Sequence, residues 1–243
     1  MAWRTVGVSV EGAGHRERGD GCQDAHHVEL FEDRLVLAVA DGAGSAPRGA
    51  DGAQLAVASA VEIVSAWPAE SLGPVALAVA MGTARYQLER LACETGESLG
   101  AFATTLHLGV VSEGQIHTAQ VGDGAVVARR GEALVVLDPV ERGEYLNETV
   151  FVTSSAWADE ARFGTHAAGD LDAIALLTDG LQLLAFDMAA GTPHRGFFDP
   201  LWSWAAEVDQ ATDGQQELAA FLASPRVQSR TDDDTTLVLA VRN

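Results

Sequence analysis

Polar and apolar positions in this chain switch period several times, and the switches mark its elements. Three apolar runs are nearly unbroken: Leu35–Ala40 (LVLAVA), Leu171–Thr178 (LDAIALLT) and Thr235–Val241 (TTLVLAV). Runs of that length without alternation predict strands buried on both faces. Trp3–Val10 (WRTVGVSV), rich in β-branched residues, predicts a further strand. Phe102–Val111 and Gln115–Val121 predict two strands joined by the short turn Ser-Glu-Gly, followed by strands at Ala125–Arg129 and Ala133–Leu137. From Gly49 to Trp67 apolar residues recur at spacings of three and four, which predicts a helix lying on an apolar surface and ended by Pro68. A second helix is predicted from Pro74, suited to a first helical turn, to about Glu94. Shorter helices are predicted at Leu181–Phe186, Phe197–Val208 and Gln215–Leu222. Glu11–Asp24 reads as a polar, Gly-rich connection, and Asp138–Asp170 as mixed, with one strand candidate at Thr149–Thr153.

Strands here do not alternate one-for-one with helices, which argues against a doubly wound parallel sheet. Many strands, an early helical pair and late helices predict an α+β fold in which sheets pack together with helices outside. No internal repeat or low-complexity linker divides the sequence, so one domain over residues 1–243 is expected.

Composition narrows the function classes. A hydrophobic share of 47% with 21% charged residues suits a folded core. No apolar run approaches the roughly 20 residues of a membrane helix, and MAWRTVGVSVEGAG lacks the basic and apolar regions of a signal peptide. Cys22 and Cys93 form no metal-type pair, so a reduced, cytoplasmic setting is expected. A net charge of −20 disfavours nucleic-acid and anionic-membrane partners. All 15 basic residues are Arg, a bias that points to base composition rather than mechanism.

The candidate chemistry lies where apolar runs stop. Asp-Gly occurs at residues 20, 41, 51, 123, 179 and 213, and the ordinary expectation for each is a tight turn. Asp41 and Asp179 differ because each directly follows a buried strand, where an unpaired charge is costly. Asp233 sits in a third acidic group, just before the last apolar strand. If these strand ends meet, the carboxylates repel one another unless a cation holds them ionised. Oxygen donors without clustered His or Cys suit magnesium or manganese, and paired hard cations suit attack on phosphate esters.

Six motifs then fall in one order: GCQDA at Gly21–Ala25, LAVADGAGSA at Leu37–Ala46, FATTL at Phe102–Leu106, QVGDG at Gln120–Gly124, LLTDGL at Leu176–Leu181 and DDTTLVLA at Asp233–Ala240. In these the chain resembles the metal-dependent protein phosphatases, the type 2C serine/threonine family, and most closely its compact bacterial members. The resemblance implies a four-layer α-β-β-α sandwich of two antiparallel sheets. It implies two Mn2+ or Mg2+ ions, with a third optional, and hydrolysis of phosphoserine and phosphothreonine by a metal-bridging hydroxide. Carried over by motif, Asp41 bridges both ions and the Gly42 carbonyl binds the second. Asp179 and Asp233 bind the first, Asp24 the second directly or through water, and Asp123 the optional third. Phosphorylated proteins, the targets of a serine/threonine kinase, are the implied substrates.

The chain departs from that pattern in several places. The Arg expected shortly before the first acidic motif is replaced by Gly19, leaving Arg18 or His15 to grip the phosphate. Ala43 stands where some members have a His that protonates the leaving group, and His15, His26 and His27 are substitutes by proximity only. The Asn expected after the last metal aspartate is Asp234, read as one more solvated acid. The flap, about residues 138–170, is short, and Asn147 and Glu148 are candidates to line a substrate groove. Two alternatives follow: a pseudophosphatase acting as a phosphoprotein-binding signalling module, and a hydrolase of small phosphoesters.

Overall fold

The computed structural model of the chain describes residues 3–139 and 149–242. Asn147 and Glu148 lie outside them. The chain begins with β1 (Trp3–Val10), α1 (Ala13–Arg18), β2 (Asp24–Leu30) and β3 (Arg34–Asp41). A helical pair follows, α2 (Gly49–Ala66) and α3 (Pro74–Thr95), and then β4 (Leu106–Ser112), β5 (Gln115–Val121), β6 (Ala125–Arg130) and β7 (Ala133–Leu137). Next come α4 (Trp157–Glu160), β8 (Arg162–Ala167), β9 (Leu171–Leu177) and α5 (Gln182–Ala185). The last part holds β10 (Phe186–Asp187), β11 (Thr192–Pro193), α6 (Arg195–Glu207), α7 (Ala211–Leu222), α8 (Pro225–Gln228) and β12 (Thr235–Arg242).

Two five-stranded antiparallel sheets result, one ordered β1-β12-β9-β6-β7 and the other β2-β3-β4-β5-β8. Three apolar layers hold them. Leu37 and Val39 of β3 meet Ile174 and Leu176 of β9 and Val238 of β12 between the sheets. The alternate residues Val36, Ala38 and Ala40 face the other way, against α2 and α3. On the far side, Ala175, Leu177 and Leu239 lie under Phe198 and Trp202 of α6 and Leu222 of α7. Strands β3, β9 and β12 are therefore buried on both faces, which is why their sequences do not alternate. The four-layer α-β-β-α sandwich is the expected one.

Several local expectations need correction. The Gly-rich connection at Glu11–Asp24 contains α1 and the first residue of β2, and β8 lies within the stretch read as mixed. Residues 149–153 form no strand: the Val152 amide donates to Thr104 O, and the chain then turns at Phe151–Ser154. The strand predicted from Phe102 starts only at Leu106, because Leu99–Phe102 makes a 3-10 turn that packs under α2. A Cβ on Gly52 would stand 2.3 Å from Phe102 O, so this glycine permits close packing. Asp51-Gly52 and Asp213-Gly214 are thus not turns; both lie near helix N-termini, with Asp51 and Asp213 in the first turn. The Ser112–Gln115 turn does carry positive φ at Glu113 (48°) and Gly114 (72°), as a tight hairpin needs.

Candidate functional site

Register alone brings the first two acids together. Asp24 opens β2 and Asp41 closes β3, and the antiparallel pairing sets them directly opposite each other. The register of β12 on β9, with Leu237 opposite Leu177, brings the following residue pair, Asp179-Gly180, alongside Asp233-Asp234. A Cβ on Gly180 would lie 1.9 Å from Asp234 O, so only glycine lets these two strand ends approach so closely.

Each acid is fixed by neighbouring hydroxyls and amides. Asp24 is buried, and its Oδ2 accepts from Thr178 Oγ1 at 2.8 Å and Thr236 Oγ1 at 2.7 Å. Its Oδ1 is buried without a hydrogen-bond partner. The Asp41 backbone is clamped at both ends: its amide donates to Thr105 Oγ1 at 2.9 Å, and its carbonyl accepts from Thr105 N and Thr104 Oγ1 at 2.9 Å each. Gly42 follows in a cleft where a Cβ would sit 2.4 Å from the Gly49 carbonyl. Asp233 is exposed, with Oδ1 accepting from the Asp234 amide at 2.9 Å. Asp123 lies near enough to Asp179 for its charge to act on it; its Oδ2 accepts from Thr149 Oγ1 and its carbonyl from Gln182 Nε2, both at 2.6 Å.

Electrostatics register the crowding. Burial, followed by the charges of Asp24, Asp179 and Asp233, raises the Asp41 carboxyl far above the usual carboxylate range. Burial pushes Asp24 up to about 8, although the hydroxyls of Thr236 and Thr178 act in the opposite direction. Burial and then the charges of Asp123 and Asp233 move Asp179 up to about 6, while the neighbouring Asp41 carboxyl acts in the opposite direction. Among the described residues, no three His, Cys, Asp or Glu side chains form a ready-made cation cage. Even so, the donor set suits hard divalent cations: crowded carboxylates, Asp24 buried and Asp41 and Asp179 half-buried, held against repulsion, with one oxygen of Asp24 orphaned.

The structure separates the two phosphate-grip candidates. Arg18 turns its Nε to Asp20 at 2.6 Å on the exposed end of α1, so its charge is already matched. His15, on the same helix, is buried, with Nδ1 2.7 Å from Asp234 Oδ2 and Nε2 4.0 Å from Asp233 Oδ1. Its Nε2 also faces Gly44, 3.3 Å from where a Cβ there would stand. His26 is taken up by Ser9 at 2.9 Å, and His27 by Glu29 at 3.3 Å.

Asp234 corrects the sequence reading most sharply. It is 2% exposed, and its two oxygens accept from the amides of Gly12 at 2.7 Å and Gln23 at 2.6 Å. It therefore ties β12 to the loops before α1 and β2, rather than lying in solvent. Thr104, Thr105, Thr178 and Thr236 were not singled out from the sequence. Their signal was the polar residue set beside each acidic motif, in FATTL, LLTDGL and DDTTLVLA.

Known proteins share this fold. The profile of the protein phosphatase 2C family matches residues 11–223. The chain is 35% identical to serine/threonine-protein phosphatase 3 of Escherichia coli (strain K12), with 99% of each chain covered. Its fold matches the serine/threonine phosphatase Stp1 from Staphylococcus aureus with a TM-score of 0.70 at 14% identity, over 100% of this chain and 96% of that one. It matches equally the catalytic domain of the serine/threonine protein phosphatase PstP, solved with two manganese ions, with a TM-score of 0.70 at 17% identity, over 98% and 97% of the two chains.

Proposed function

The chain belongs to the protein phosphatase 2C family, and from that premise we propose that it removes phosphate from phosphoserine and phosphothreonine at a centre of two Mn2+ or Mg2+ ions. One observation carries the residue assignment. Asp24 and Asp41 face each other across β2 and β3, with the charge of Asp179 near enough to raise the Asp41 carboxyl and an oxygen of Asp24 left without a partner.

Asp41 would bridge the two ions, with the Gly42 carbonyl and Asp24 on the second and Asp179 and Asp233 on the first. Asp123, already bonded to Thr149, would hold an optional third. When bound, such cations lower the pKa of water toward neutrality and offset charge on the phosphoryl oxygens. The chain's own part is placement. Thr178 and Thr236 hold Asp24 so that Oδ1 stays free. Thr104 and Thr105 hold the Asp41 backbone so that its carboxylate cannot swing away. His15, set by Asp234, takes the phosphate-facing position beside Gly44 that Arg18 leaves empty by pairing with Asp20. Burial raises the Cys22 thiol, next to Asp234 and Asp24, so it is a poor nucleophile and no covalent cysteine route is drawn.

We read residues 1–243 as one phosphatase domain with a shortened flap over 138–170, acting on proteins phosphorylated by a serine/threonine kinase. Among the described residues no helix is long and apolar enough to cross a membrane. The free cysteines Cys22 and Cys93 suit a reduced bacterial cytoplasm.

The test is hydrolysis of p-nitrophenyl phosphate and of a phosphopeptide, with and without Mn2+ and after chelation. Turnover should require the metal, and Asp41→Asn should lower it by about a thousandfold while the circular dichroism spectrum is retained. Undiminished turnover in that variant would overturn the assignment. Hydrolysis of p-nitrophenyl phosphate without any phosphopeptide activity would favour the small-phosphoester alternative.

A further inference from the structure

A second charged place lies just beyond Asp179, and its sign is opposite. Leu183 and Leu184 of α5 follow Asp179 by four and five residues, through the 3-10 turn Asp179–Leu181. They form one wall of a groove of about 580 Å3 that runs between α5, α6 and α8. Phe197, Leu201 and Phe221 make its apolar floor, and Arg226 and Arg230 stand on its rim. Leu183 is 62% exposed, an unusual position for a leucine in a well-packed chain.

The charge pattern is the telling part. The chain has 35 acidic residues against 15 basic ones, yet among the described residues no carboxylate lines this groove. Every other described arginine is occupied by a carboxylate, a carbonyl or an aromatic ring, for example Arg16, Arg18, Arg48, Arg90 and Arg195 by acids, Arg162 by backbone oxygens and Arg129 by the Trp202 ring. Among the described residues, only the guanidinium groups of Arg226 and Arg230 have none of these partners. Two unmatched cations beside an apolar groove with the exposed Leu183 in its wall, on a surface that is otherwise strongly negative, match a segment carrying carboxylates next to apolar side chains.

We propose that this groove docks an acidic, apolar segment of the phosphoprotein substrate, next to the phosphorylated residue that enters the carboxylate site. The inference rests on the phosphatase reading and adds substrate selection to it. Bulk negative charge repels acidic substrates, so the groove restores affinity for one class of them at one place. Holding such a segment raises the local concentration of the phosphoryl group at Asp41 and Asp179 and lowers KM without altering the chemistry.

The experiment uses the whole chain with Mn2+ and two phosphopeptides of equal length. One flanks phosphothreonine with Asp, Glu, Leu and Phe; the other carries Ser, Gln and Gly at those positions. The wild type should turn over the first with a KM about tenfold lower at equal kcat, the scale expected of two partly exposed guanidinium–carboxylate pairs. In the double variant Arg226→Glu/Arg230→Glu the advantage should vanish, and in Arg226→Gln/Arg230→Gln it should shrink. Turnover of p-nitrophenyl phosphate should be unchanged in both variants, which also reports that they are folded. Equal KM for the two peptides in the wild type, or an advantage that survives the charge reversal, overturns the proposal. Binding of phosphatidylserine vesicles in place of the acidic peptide overturns it too. Loss of p-nitrophenyl phosphate turnover in the wild type would instead sink the phosphatase reading beneath it.

Discussion

The carboxylate site and the arginine groove leave the same short stretch, Asp179 to Ala185, and they are built in contrasting ways. At one end, like charges are crowded among buried backbone. Asp24, Asp41 and Asp179 all have carboxyls raised by burial and by neighbouring carboxylates: Asp234 and Asp233 act on Asp24; Asp24, Asp179 and Asp233 on Asp41; and Asp123 and Asp233 on Asp179. Holding them there requires glycines that admit no side chain, threonines that clamp oxygens, and a counter-charge. At the other end, Arg226 and Arg230 extend from a short helix and the turn after it, with water on one side and apolar residues on the other. Nothing about their backbone is constrained by the charge they carry. Crowded buried charge therefore makes the surrounding backbone unforgiving, whereas exposed charge leaves it tolerant.

The most forceful way to break that contrast is at Gly180. A methyl group there would meet the Asp234 carbonyl at 1.9 Å, so Gly180→Ala must force apart the ends of β9 and β12. Urea denaturation should show a loss of about 3 kcal/mol, and metal-dependent turnover should fall with it. Gly100→Ala, where a Cβ would meet nothing within 4 Å, should change stability by less than about 0.5 kcal/mol. Equal tolerance at the two positions would mean that the acidic end is not held by its backbone after all.

The same contrast explains what the sequence disclosed. Asp41 and Asp179 stood out because LVLAVA and LLT are buried on both faces, so their ends could be placed from one strand alone. Asp24 was placed by its motif, but its strand was missed. DAHHVEL alternates weakly, and β2 is the edge strand beside β3, so its identity depends on a partner distant in sequence. Strand β8 (RFGTHA) escaped for the same reason, as the edge strand next to β5. Asp234 was misread because burial of an acid is invisible until the amides of Gly12 and Gln23, more than 200 residues away, are seen to meet it. Arg226 and Arg230 attracted no attention at all. A missing partner is a property of the assembled surface, not of a local pattern.

A titration of the metal-free chain sharpens the comparison. The folded carboxyls of Asp24 and Asp179 lie at about 8 and about 6, well above the ordinary 3.8. With raised folded values, the folded state keeps protons that the unfolded chain releases. Their contribution to stability is complete below about pH 4 and is lost as pH rises through 6 and 8. In the presence of chelator, Tm should therefore fall from pH 5.5 to pH 8, and Asp24→Asn should flatten the decline. Saturating Mn2+ neutralises the same charges, so the rise in Tm that it causes should be greater at pH 8 than at pH 5.5, by roughly 5 °C. A metal-induced shift independent of pH would show that these carboxylates do not hold the ion.

The smallest expected effect concerns a third way of handling a titratable group, which is to keep it neutral. His107 of β4 is fully buried beneath Gly122–Gly124, with only the Gln120 side chain acting to raise its pKa. Burial, aided by the nearby charge of Arg162, lowers its pKa from 6.5 to about 3. Here the sign is opposite to that at Asp24. Between these two values the unfolded chain binds a proton that the folded one refuses, so stability is intact above pH 6.5 and declines as the solution is acidified toward 3. Integrated from pH 7 to pH 5, the loss is about 2 kcal/mol. His107→Leu, close in volume and unable to titrate, should remove that acid-side loss in urea melts while leaving Mn2+-dependent turnover at pH 8 in place. An unchanged acid limb in this variant would mean that His107 is protonated in the folded protein, and the interior beneath Asp123 would then share the charge problem of the metal site rather than stand apart from it.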